Sequence, residues 1–231
     1  MAEPFLKHIN THAGALDSYL KIALSVDCAI FGVEDSELKV LLIRSDLEEF
    51  KDKWTLLGDL VYPEEDPDKA AYRVLRKRTG LKNLYLEQVR TFGRPERHPA
   101  GRVVTIAYYS LVNIDRVRLT THASELHWQS VRDIKPLAFD HRLILDTCLQ
   151  KLRSMGLARH VAYGLLPPKF SLTQLQHVYE AIRGHALDRR NFRKKVLAMD
   201  ILEDLEEIET DVSHRPGRLY RFKGIIDGMF V

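Results

Sequence analysis

Residues 57–81, LGDLVYPEEDPDKAAYRVLRKRTGL, constrain the fold more than any other stretch of the chain. The segment predicts the end of an apolar strand, an acidic turn and an amphipathic helix. Pro67 suits the first turn of this helix, and Gly80 ends it. The apolar face of the helix consists of Ala70, Ala71, Val74 and Leu75. The rest of the helix is strongly basic, so the question is whether loop and helix form a catalytic site or serve another purpose.

Apolar runs on both sides of this helix predict the strands of a mixed α/β sandwich that ends near residue 156. The predicted strands cover residues 22–33, 38–45, 54–62, 84–93, 102–112 and 125–131. A polar turn joins the first two runs, which is typical of a hairpin of core strands. Residues 140–156 then predict an amphipathic helix with Asp140 as its N-cap.

The character of the chain changes after this sandwich. Gly164 and the pair Pro167-Pro168 predict a linker over residues 157–169. The next helix opens with the spacing of a capping box, Ser171 and Gln174, and closes at a glycine.

A second helix and a hairpin follow. Asp188 is the expected N-cap of the helix, and Phe192, Val196 and Met199 share the face that we expect to pack on the preceding helix. Two short strands then flank a basic turn. A helix, a helix and a hairpin within ~60 residues are the layout of a winged helix-turn-helix. We therefore expect an α+β protein with a winged helix-turn-helix domain over residues 170–231.

The bulk composition excludes some classes of protein. The 231 residues are 45% hydrophobic and 29% charged, and no stretch approaches the ~20 consecutive apolar residues of a membrane-spanning helix. The first residues lack the apolar core of a signal peptide, so we expect a cytoplasmic protein without a membrane partner. Cys28 and Cys148 lie far apart among apolar neighbours, which favours buried, reduced thiols over a disulfide or a metal site.

A net charge of +3 is too mild to indicate nucleic-acid binding, but the basic residues are unevenly distributed. We expect Arg190, Asn191 and Arg193 to contact a DNA groove, and Arg215 and Arg218 to hold its backbone or minor groove. The full set of DNA-binding candidates is Thr173, Arg189, Arg190, Asn191, Arg193, Lys194, Arg215 and Arg218. An exposed basic helix is also common in proteins that do not bind DNA. The combination of a capped first helix, a basic second helix and a basic hairpin tip favours DNA binding.

Residues 22–156 resemble a Nudix domain. Anchored on Gly80 and Leu81, the signature of that family agrees with this chain at Glu65, Arg73 and Leu75. The resemblance implies a Nudix α/β/α sandwich, which we assign to residues 1–156 as an effector-binding domain with an N-terminal extension over residues 1–21.

The chain departs from the Nudix signature where metal chemistry takes place. Asp59 stands in place of a glycine, and Val74, Lys77 and Arg78 stand in place of the three helix glutamates. These three positions share one helical face, where carboxylates of the enzymes gather Mg²⁺ or Mn²⁺. Valine offers no ligand, and the two cations repel a metal ion. We therefore predict no metal, no cofactor and no hydrolase activity, although a site rescued by carboxylates from elsewhere stays open.

Over residues 20–223 the chain resembles the Nudix-related transcriptional regulators. Beyond the degenerate helix, the resemblance rests on LEQVRTFGRPERHPAGRVVTIAYYSLV, PLAFDH, and the tail segments PPKFSLTQLQHVYEAI, LDRRNFRKKVLAMDIL and GRLYRF. Within these, TFGRPERHPAGRVVTIAYYSL and RNFRKKV are closer to the arabinose-responsive branch than to the NAD branch. It implies that a catalytically inactive Nudix domain senses a small metabolite and that the winged helix binds DNA. The expected effector is a sugar such as L-arabinose. The alternatives are ADP-ribose in NAD metabolism, or a Nudix hydrolase of nucleoside diphosphate derivatives with an unusual metal site.

Candidate effector-binding residues lie at predicted strand ends and loops near the former active site. They are Arg44, Tyr62, Glu65, Lys77, Phe92, Arg94 and Arg102. A sugar requires paired donors and acceptors beside an aromatic wall, whereas the diphosphate of ADP-ribose requires Arg or Lys. Four histidines show no metal-ligand spacing: His98, His122, His127 and His141.

We expect the partners to be a double-stranded DNA operator, a small-molecule effector and a second copy of the chain. A homodimer would read a pseudo-palindromic operator with half-sites about one helical turn, or a multiple of it, apart. A C-terminal domain that binds a protein rather than DNA is the remaining alternative.

Overall fold

A computed structural model describes residues 21–82, 84–119, 125–155, 164–210 and 215–223. Outside these ranges lie residues 1–20 of the predicted N-terminal extension, His122, residues 157–163 of the predicted linker and residues 211–214 and 224–231 of the predicted C-terminal domain.

A seven-stranded sheet forms the centre of the N-terminal part. Its strands are β1 (Ala23–Glu34), β2 (Glu37–Arg44), β3 (Trp54–Thr55), β4 (Leu57–Leu60), β5 (Glu87–Phe92), β6 (Val103–Asn113) and β7 (Leu126–Ser130). The main order is β3-β2-β1-β6-β5, with β4 also pairing with β1 and β7 with β2. Strand β1 runs parallel to β6 and antiparallel to β2. A short 3-10 helix, Glu48–Phe50, lies between β2 and β3.

Two helices cover the two faces of this sheet. Helix α1, Pro67–Thr79, buries Val74 and Leu75 in a core cluster with strands β1, β2 and β6. Helix α2, His141–Ser154, buries Ile144 in a second cluster on the opposite face. This arrangement confirms the α/β/α sandwich expected from the sequence.

The ends of α1 are those that the sequence predicts. The carboxylate of Asp66 accepts a hydrogen bond from the backbone N–H of Lys69 at 2.8 Å, and Pro67 occupies the first helical position. Gly80 follows the helix with φ of 76°, a left-handed conformation that favours glycine. Helix α2 differs, because Asp140 precedes it without a side-chain hydrogen bond to its first turn.

The segment 54–62 forms two strands rather than the one predicted. Trp54 and Thr55 pair with the end of β2, whereas the four residues of β4 pair with β1. The chain therefore changes partner strand at Leu56, which the apolar pattern of the segment does not reveal.

The C-terminal part is a winged helix, as predicted. Its elements are β8 (Phe170–Ser171), α3 (Leu172–Arg183), α4 (Arg189–Ala198), β9 (Leu202–Ile208) and β10 (Arg218–Phe222). Strand β10 lies between β8 and β9. The capping box is present: the Ser171 hydroxyl accepts from Gln174 N–H, and the Gln174 side chain accepts from Ser171 N–H.

Helix α4 packs on α3 through part of the predicted face. Phe192 and Val196 are buried, and the Phe192 ring lies 5.9 Å from that of Tyr179 on α3. Met199 is 42% exposed, so its assignment to this face was wrong. It is the C-cap residue, just beyond the helix that ends at Ala198.

The two parts of the chain share one hydrophobic core. Leu165 and Leu166, placed in the linker by the sequence, belong to the same buried cluster as the α2 side of the sheet. The Asn113 side chain donates to the carbonyl oxygen of Leu165 at 2.9 Å. A Cβ atom on Gly164 would lie 2.4 Å from the carbonyl oxygen of Leu111, so the two backbones approach too closely for a side chain there. None of the helices in the described ranges is long and apolar enough to cross a membrane.

Candidate effector site and nucleic-acid interface

The three helix positions that carry glutamates in the Nudix signature offer no oxygen ligand here. Val74 is 1% exposed in the core, Lys77 is exposed, and the Arg78 guanidinium pairs with Asp46 at 3.1 Å. Hard divalent cations require several converging oxygen atoms, so these residues do not fit such an ion. Within the described ranges, no group of three or more His, Cys, Asp or Glu side chains could hold a metal.

Arg73 organises the loop that leads into α1. Its guanidinium contacts both oxygens of Glu65, at 2.6–3.0 Å, and reaches Asp59 at 3.2 Å. The same group lies 3.9 Å from the centre of the Tyr62 ring. The hydrogen bonds from Arg73 lower the pKa of the Glu65 carboxyl. Asp59, which replaces the signature glycine, thus takes part in holding the loop.

Two of the candidate effector residues are therefore engaged within the protein. The carboxylate of Glu65 is occupied by Arg73 and by the backbone N–H of Tyr62 at 2.9 Å. Tyr62 is 46% exposed, with the Arg73 guanidinium against its ring. These internal contacts fix the shape of the loop surface that a ligand would contact.

Two loops leave the same end of the sheet. Strand β1 begins at Ala23, which pairs with Val103 directly after Arg102, and Ser25 of β1 pairs with Leu60 at the end of β4. The β4–α1 loop and the β5–β6 loop, residues 93–102, therefore meet near the start of β1. Arg102 donates to the carbonyl oxygen of Gly93 at 2.6 Å and closes the second loop, and Arg94 is exposed on it.

The remaining candidates divide into exposed and buried residues. Arg44 lies 4.0 Å from the centre of the Trp54 ring, at the end of β2. Asp46, two residues further, pairs with Arg78, so the C-terminal half of α1 with Lys77 lies at the same place. Phe92 is 7% exposed and belongs to the core on the α2 side, so its ring has little surface to offer a ligand.

A buried ion-pair network lies beneath the β5–β6 loop. The Arg97 guanidinium binds both oxygens of Asp140, at 2.7 and 3.0 Å, and lies 3.5 Å from Asp27 on β1. The Arg97 side chain is 3% exposed. A buried charge requires such partners, because removal from water disfavours the ionised form.

His141 extends this network into α2. Its Nδ1 lies 2.5 Å from the Thr55 hydroxyl and accepts from the backbone N–H of Leu56 at 3.0 Å. Its Nε2 lies 3.4 Å from Asp27, which also accepts from the Thr105 hydroxyl at 2.7 Å. Burial lowers the pKa of His141 below its usual range, against the raising effect of Asp27.

Phe139, next to this network, has an unusual backbone. Its φ is +54°, in the left-handed region that bulky side chains avoid. Its ring stacks on His98 of the β5–β6 loop, with centroids 4.9 Å apart, and lies 4.4 Å from the ring of Phe50.

The residues of this network were missed as functional candidates. Arg97 has the sequence context of a surface charge, Asp140 that of a helix N-cap, and His141 shows no metal-ligand spacing. The apolar run around Asp27 was the one available signal, since an acidic residue in a core strand requires a partner.

Helix α4 presents a polar surface away from the core. Successive residues are 100° apart, so Arg190, Asn191 and Lys194 lie opposite the buried Phe192 and Val196. All three are exposed. The Asp188 side chain accepts from the Asn191 N–H at 2.8 Å and fixes the start of the helix, as predicted.

The other DNA-binding candidates have different surroundings. Arg193 is half-buried between α4 and α3, and its guanidinium reaches the Thr173 hydroxyl at 3.4 Å. Arg189 and Arg215 are exposed. Arg218, at the start of β10, pairs with Asp204 on β9 at 2.9 Å, which raises the pKa of its guanidinium.

Comparison with known families assigns both parts of the chain. The model of the NUDIX domain matches residues 22–148. The model described as the NrtR DNA-binding winged helix domain matches residues 162–222.

Individual proteins agree with this assignment over most of the chain. The "ADPR responsive transcriptional repressor NtrR" of Acinetobacter baylyi is 33% identical over 204 residues, which are 86% of this chain and 81% of that protein. The crystal structure of Shewanella oneidensis NrtR complexed with a 27mer DNA superposes with a TM-score of 0.77 at 29% identity, over 87% of this chain and 93% of that one.

The NUDIX domain of Shewanella oneidensis NrtR complexed with ADP ribose superposes with a TM-score of 0.53 at 27% identity, over 61% of this chain and 98% of that one. The sequence matches, the domain order and the fold agree with one another. The chain belongs to the NrtR family, in which a NUDIX domain precedes a DNA-binding winged helix domain.

Proposed function

We propose that this chain is a DNA-binding transcriptional regulator that responds to ADP-ribose. The observation that carries the proposal is the outward face of α4, where Arg190, Asn191 and Lys194 are exposed on a helix fixed by its N-cap and by two buried side chains. Long cations reach phosphates, and an asparagine can pair with the edge of an adenine in a major groove.

The hairpin of β9 and β10 supplies a second DNA contact. Arg215 and Arg218 are exposed at its end, where a wing meets the DNA backbone beside the recognition helix. Arg218 first has to exchange Asp204 for a phosphate, which should reduce its contribution to the affinity for DNA. Arg193 stands between α4 and α3, which suits support of the helix or a phosphate contact better than base recognition.

The relatives favour ADP-ribose over a sugar as the effector. One is named as responsive to ADPR, and another binds ADP ribose through its NUDIX domain, whereas these relatives give the arabinose expectation no support. ADP-ribose carries two negative charges on its diphosphate. Lys77 is exposed where a working Nudix enzyme places a metal ligand, and Arg44 lies at the same end of α1. We assign them to the diphosphate, which a cation can neutralise without metal.

The same substitutions lead us to propose that the domain does not hydrolyse its ligand. Val74, Lys77 and Arg78 cannot gather the divalent ion that activates water in Nudix chemistry. Incubation with ADP-ribose and Mg²⁺ or Mn²⁺ should therefore release no AMP or ribose 5-phosphate. Turnover that depends on either metal would support the hydrolase alternative instead.

The DNA-binding part is tested with the double variant Arg190→Ala, Lys194→Ala. A duplex selected from a random-sequence pool by the parent protein serves as the probe. The variant should bind it at least about tenfold more weakly, because a base or phosphate contact is worth about 1–3 kcal/mol. The salt dependence of binding should also decrease. Lys151→Ala, which removes a cation from α2, should bind like the parent. Parent-like affinity of the double variant would place the DNA contacts elsewhere.

The effector part is tested by calorimetry with ADP-ribose, ADP and L-arabinose. We expect the parent to bind ADP-ribose, and Lys77→Glu to weaken binding at least about tenfold through charge repulsion at the diphosphate. The matched control is Lys82→Glu, which makes the same charge change on an exposed residue just beyond α1. Equal loss in both variants would indicate a general charge effect, and binding of arabinose alone would overturn the effector assignment.

We further propose that the regulator acts as a homodimer on a pseudo-palindromic operator. A two-fold symmetric dimer presents two copies of α4 to half-sites about one helical turn, or a multiple of it, apart. Sedimentation of the protein with and without the selected duplex would reveal one chain or two per site.

A further inference from the structure

We infer that the β5–β6 loop transmits effector binding to the winged helix through α2, with Phe139 as the hinge. The inference rests on the proposed function, since it explains how an effector in the Nudix domain changes the affinity for DNA. Such coupling requires a physical element that has two arrangements and that both sites influence.

The loop holds the start of α2 at two adjacent residues. Arg97 binds both oxygens of Asp140, and His98 stacks on the ring of Phe139. The same loop carries Arg94, an exposed candidate for effector binding. A ligand that displaces this loop would therefore loosen both contacts together.

Phe139 is the strained point of this arrangement. A left-handed backbone at a non-glycine residue is unfavourable and persists only where the surroundings enforce it. Here the enforcing groups are the rings of His98 and Phe50 around the side chain and the Arg97–Asp140 pair on the next residue. Loss of the loop contacts would allow Phe139 to return to an ordinary backbone conformation. The start of α2 would then have to change direction.

Helix α2 connects this hinge to the DNA-binding part. Its 14 residues span about 21 Å at 1.5 Å per residue. Close packing of Ile144, Cys148 and Leu152 in the core favours its movement as a rigid body.

The far end of α2 holds α3 by a directed hydrogen bond. The Arg153 Nε donates to the carbonyl oxygen of Ile182 at 3.0 Å, in the last turn of α3, where carbonyl groups lack partners within the helix. Positive charge at a helix C-terminus is also favourable to the helix dipole. Because Tyr179 of α3 packs against Phe192 of α4, a shift of Arg153 is passed on to the recognition helix.

The experiment compares DNA affinity with and without ADP-ribose in the parent and two variants. Phe139→Gly removes the strained side chain at the near end, and Arg153→Gln removes the directed donor at the far end, on an exposed residue. In the parent, the dissociation constant for DNA measured with ADP-ribose and the one measured without it should differ by about 5–150-fold, the common range of allosteric coupling. Both variants should move this ratio toward unity by at least about fivefold, while each still binds the duplex and ADP-ribose separately.

Amide hydrogen exchange separates the near end of the path from the far end. In Arg153→Gln, ADP-ribose should still change exchange around residues 139–145 but no longer in α3. In the parent, ADP-ribose should change hydrogen exchange both around residues 139–145 and in α3. The matched control is Arg142→Gln, which alters an exposed ion pair on the outer side of α2 and should keep the parent ratio.

The outcomes distinguish the inference from the function on which it rests. If ADP-ribose leaves the DNA affinity of the parent unchanged, the proposed effector response and the inference both fail. If ADP-ribose changes the DNA affinity of the parent and changes that of both variants by the same factor, the proposed function stands and the path through α2 is wrong. A loss of coupling in Phe139→Gly and Arg153→Gln, but not in Arg142→Gln, supports the path.

Discussion

At the scale of single residues, one buried carboxylate determines which residues can occupy several neighbouring positions. Asp27 lies in a core strand, and its oxygens are reached by Arg97, Thr105 and His141. The backbone of Gly58 passes so close that a Cβ there would lie 2.2 Å from Asp27 Oδ1. The glycine beside Asp59 is thus required by a side chain on another strand.

This contact predicts that Gly58→Ala destabilises the protein. The added methyl group forces apart a hydrogen-bonded buried network, and overpacking of this kind costs about 1–3 kcal/mol. Chemical unfolding of the parent and the variant measures the difference. Gly93→Ala is the control, since its Cβ would meet Val104 at an ordinary 3.6 Å. Equal stability of the two variants would show that the network accommodates the methyl group without cost.

The buried imidazole of His141 predicts a loss of stability in acid. Burial lowers the pKa of His141 in the folded state, so below about pH 6.5 the unfolded chain binds a proton more readily than the folded one. The free energy of unfolding should therefore fall as the pH drops below about 6.5 toward the lower folded-state pKa.

Urea unfolding at a series of pH values measures this slope. His141→Gln should be less stable at neutral pH, because Thr55 and Leu56 lose their partner, but should show a flatter dependence between about pH 7 and 5. His127→Gln, at an exposed position, is the matched control for the loss of an imidazole. An unchanged slope in His141→Gln would assign the acid sensitivity to another group.

At the scale of elements, the ends of helices carry much of the information. Gly80 and Gly184 follow α1 and α3 in the left-handed conformation, and Asp66 and Ser171 accept backbone hydrogen bonds at their starts. These local signals define where the two helices begin and end.

The capping box of α3 predicts a measurable stability loss in Ser171→Ala. Removal of the hydroxyl leaves the Gln174 N–H without its acceptor, which typically costs ~1 kcal/mol. Thermal and urea unfolding would both report the change. Ser154→Ala, at the exposed end of α2, should shift stability by less than about 0.5 kcal/mol. A loss in Ser171→Ala no larger than that of the control would exclude a role for the box.

The sequence predicted those parts of the structure that depend on neighbours along the chain. Helix limits and the alternation of strands follow from caps and apolar periodicity, and the loss of ligands at Lys77 follows from a fixed spacing. The partner change at Leu56 depends on a distant strand, and the exposure of Met199 depends on where the helix ends, so periodicity could not show them. The same holds for Arg97 and Asp140, which are 43 residues apart and form a buried pair only after folding.

At the scale of the whole molecule, the winged helix is part of the Nudix core. Leu165, Phe170 and Leu175 share one buried cluster with Ile144 and Leu149 of α2. Helix α3 also contacts β2 of the sheet. Domain docking of this kind favours transmission of strain, because a close-packed interior shifts as a unit.

This shared core predicts a single cooperative unfolding transition. Both tryptophans, Trp54 and Trp128, lie in the Nudix part, so their fluorescence reports on that part alone. Far-UV circular dichroism includes α3 and α4. The two signals should give coincident urea transitions, as required of a two-state protein. A circular dichroism change that precedes or follows the fluorescence change would show that the winged helix unfolds independently.

The contact between α3 and the face formed by α2 and β2 has a consequence for biosynthesis. Ribosomes add roughly 5–20 residues per second, so α3, which ends 29 residues after α2, appears roughly 1.5–6 seconds after it. During that interval the nascent chain exposes apolar surface to the cell. We expect a ribosome-bound fragment that has released α2 but not α3 to associate with chaperones, and a fragment long enough to release residue 223 to be free of them.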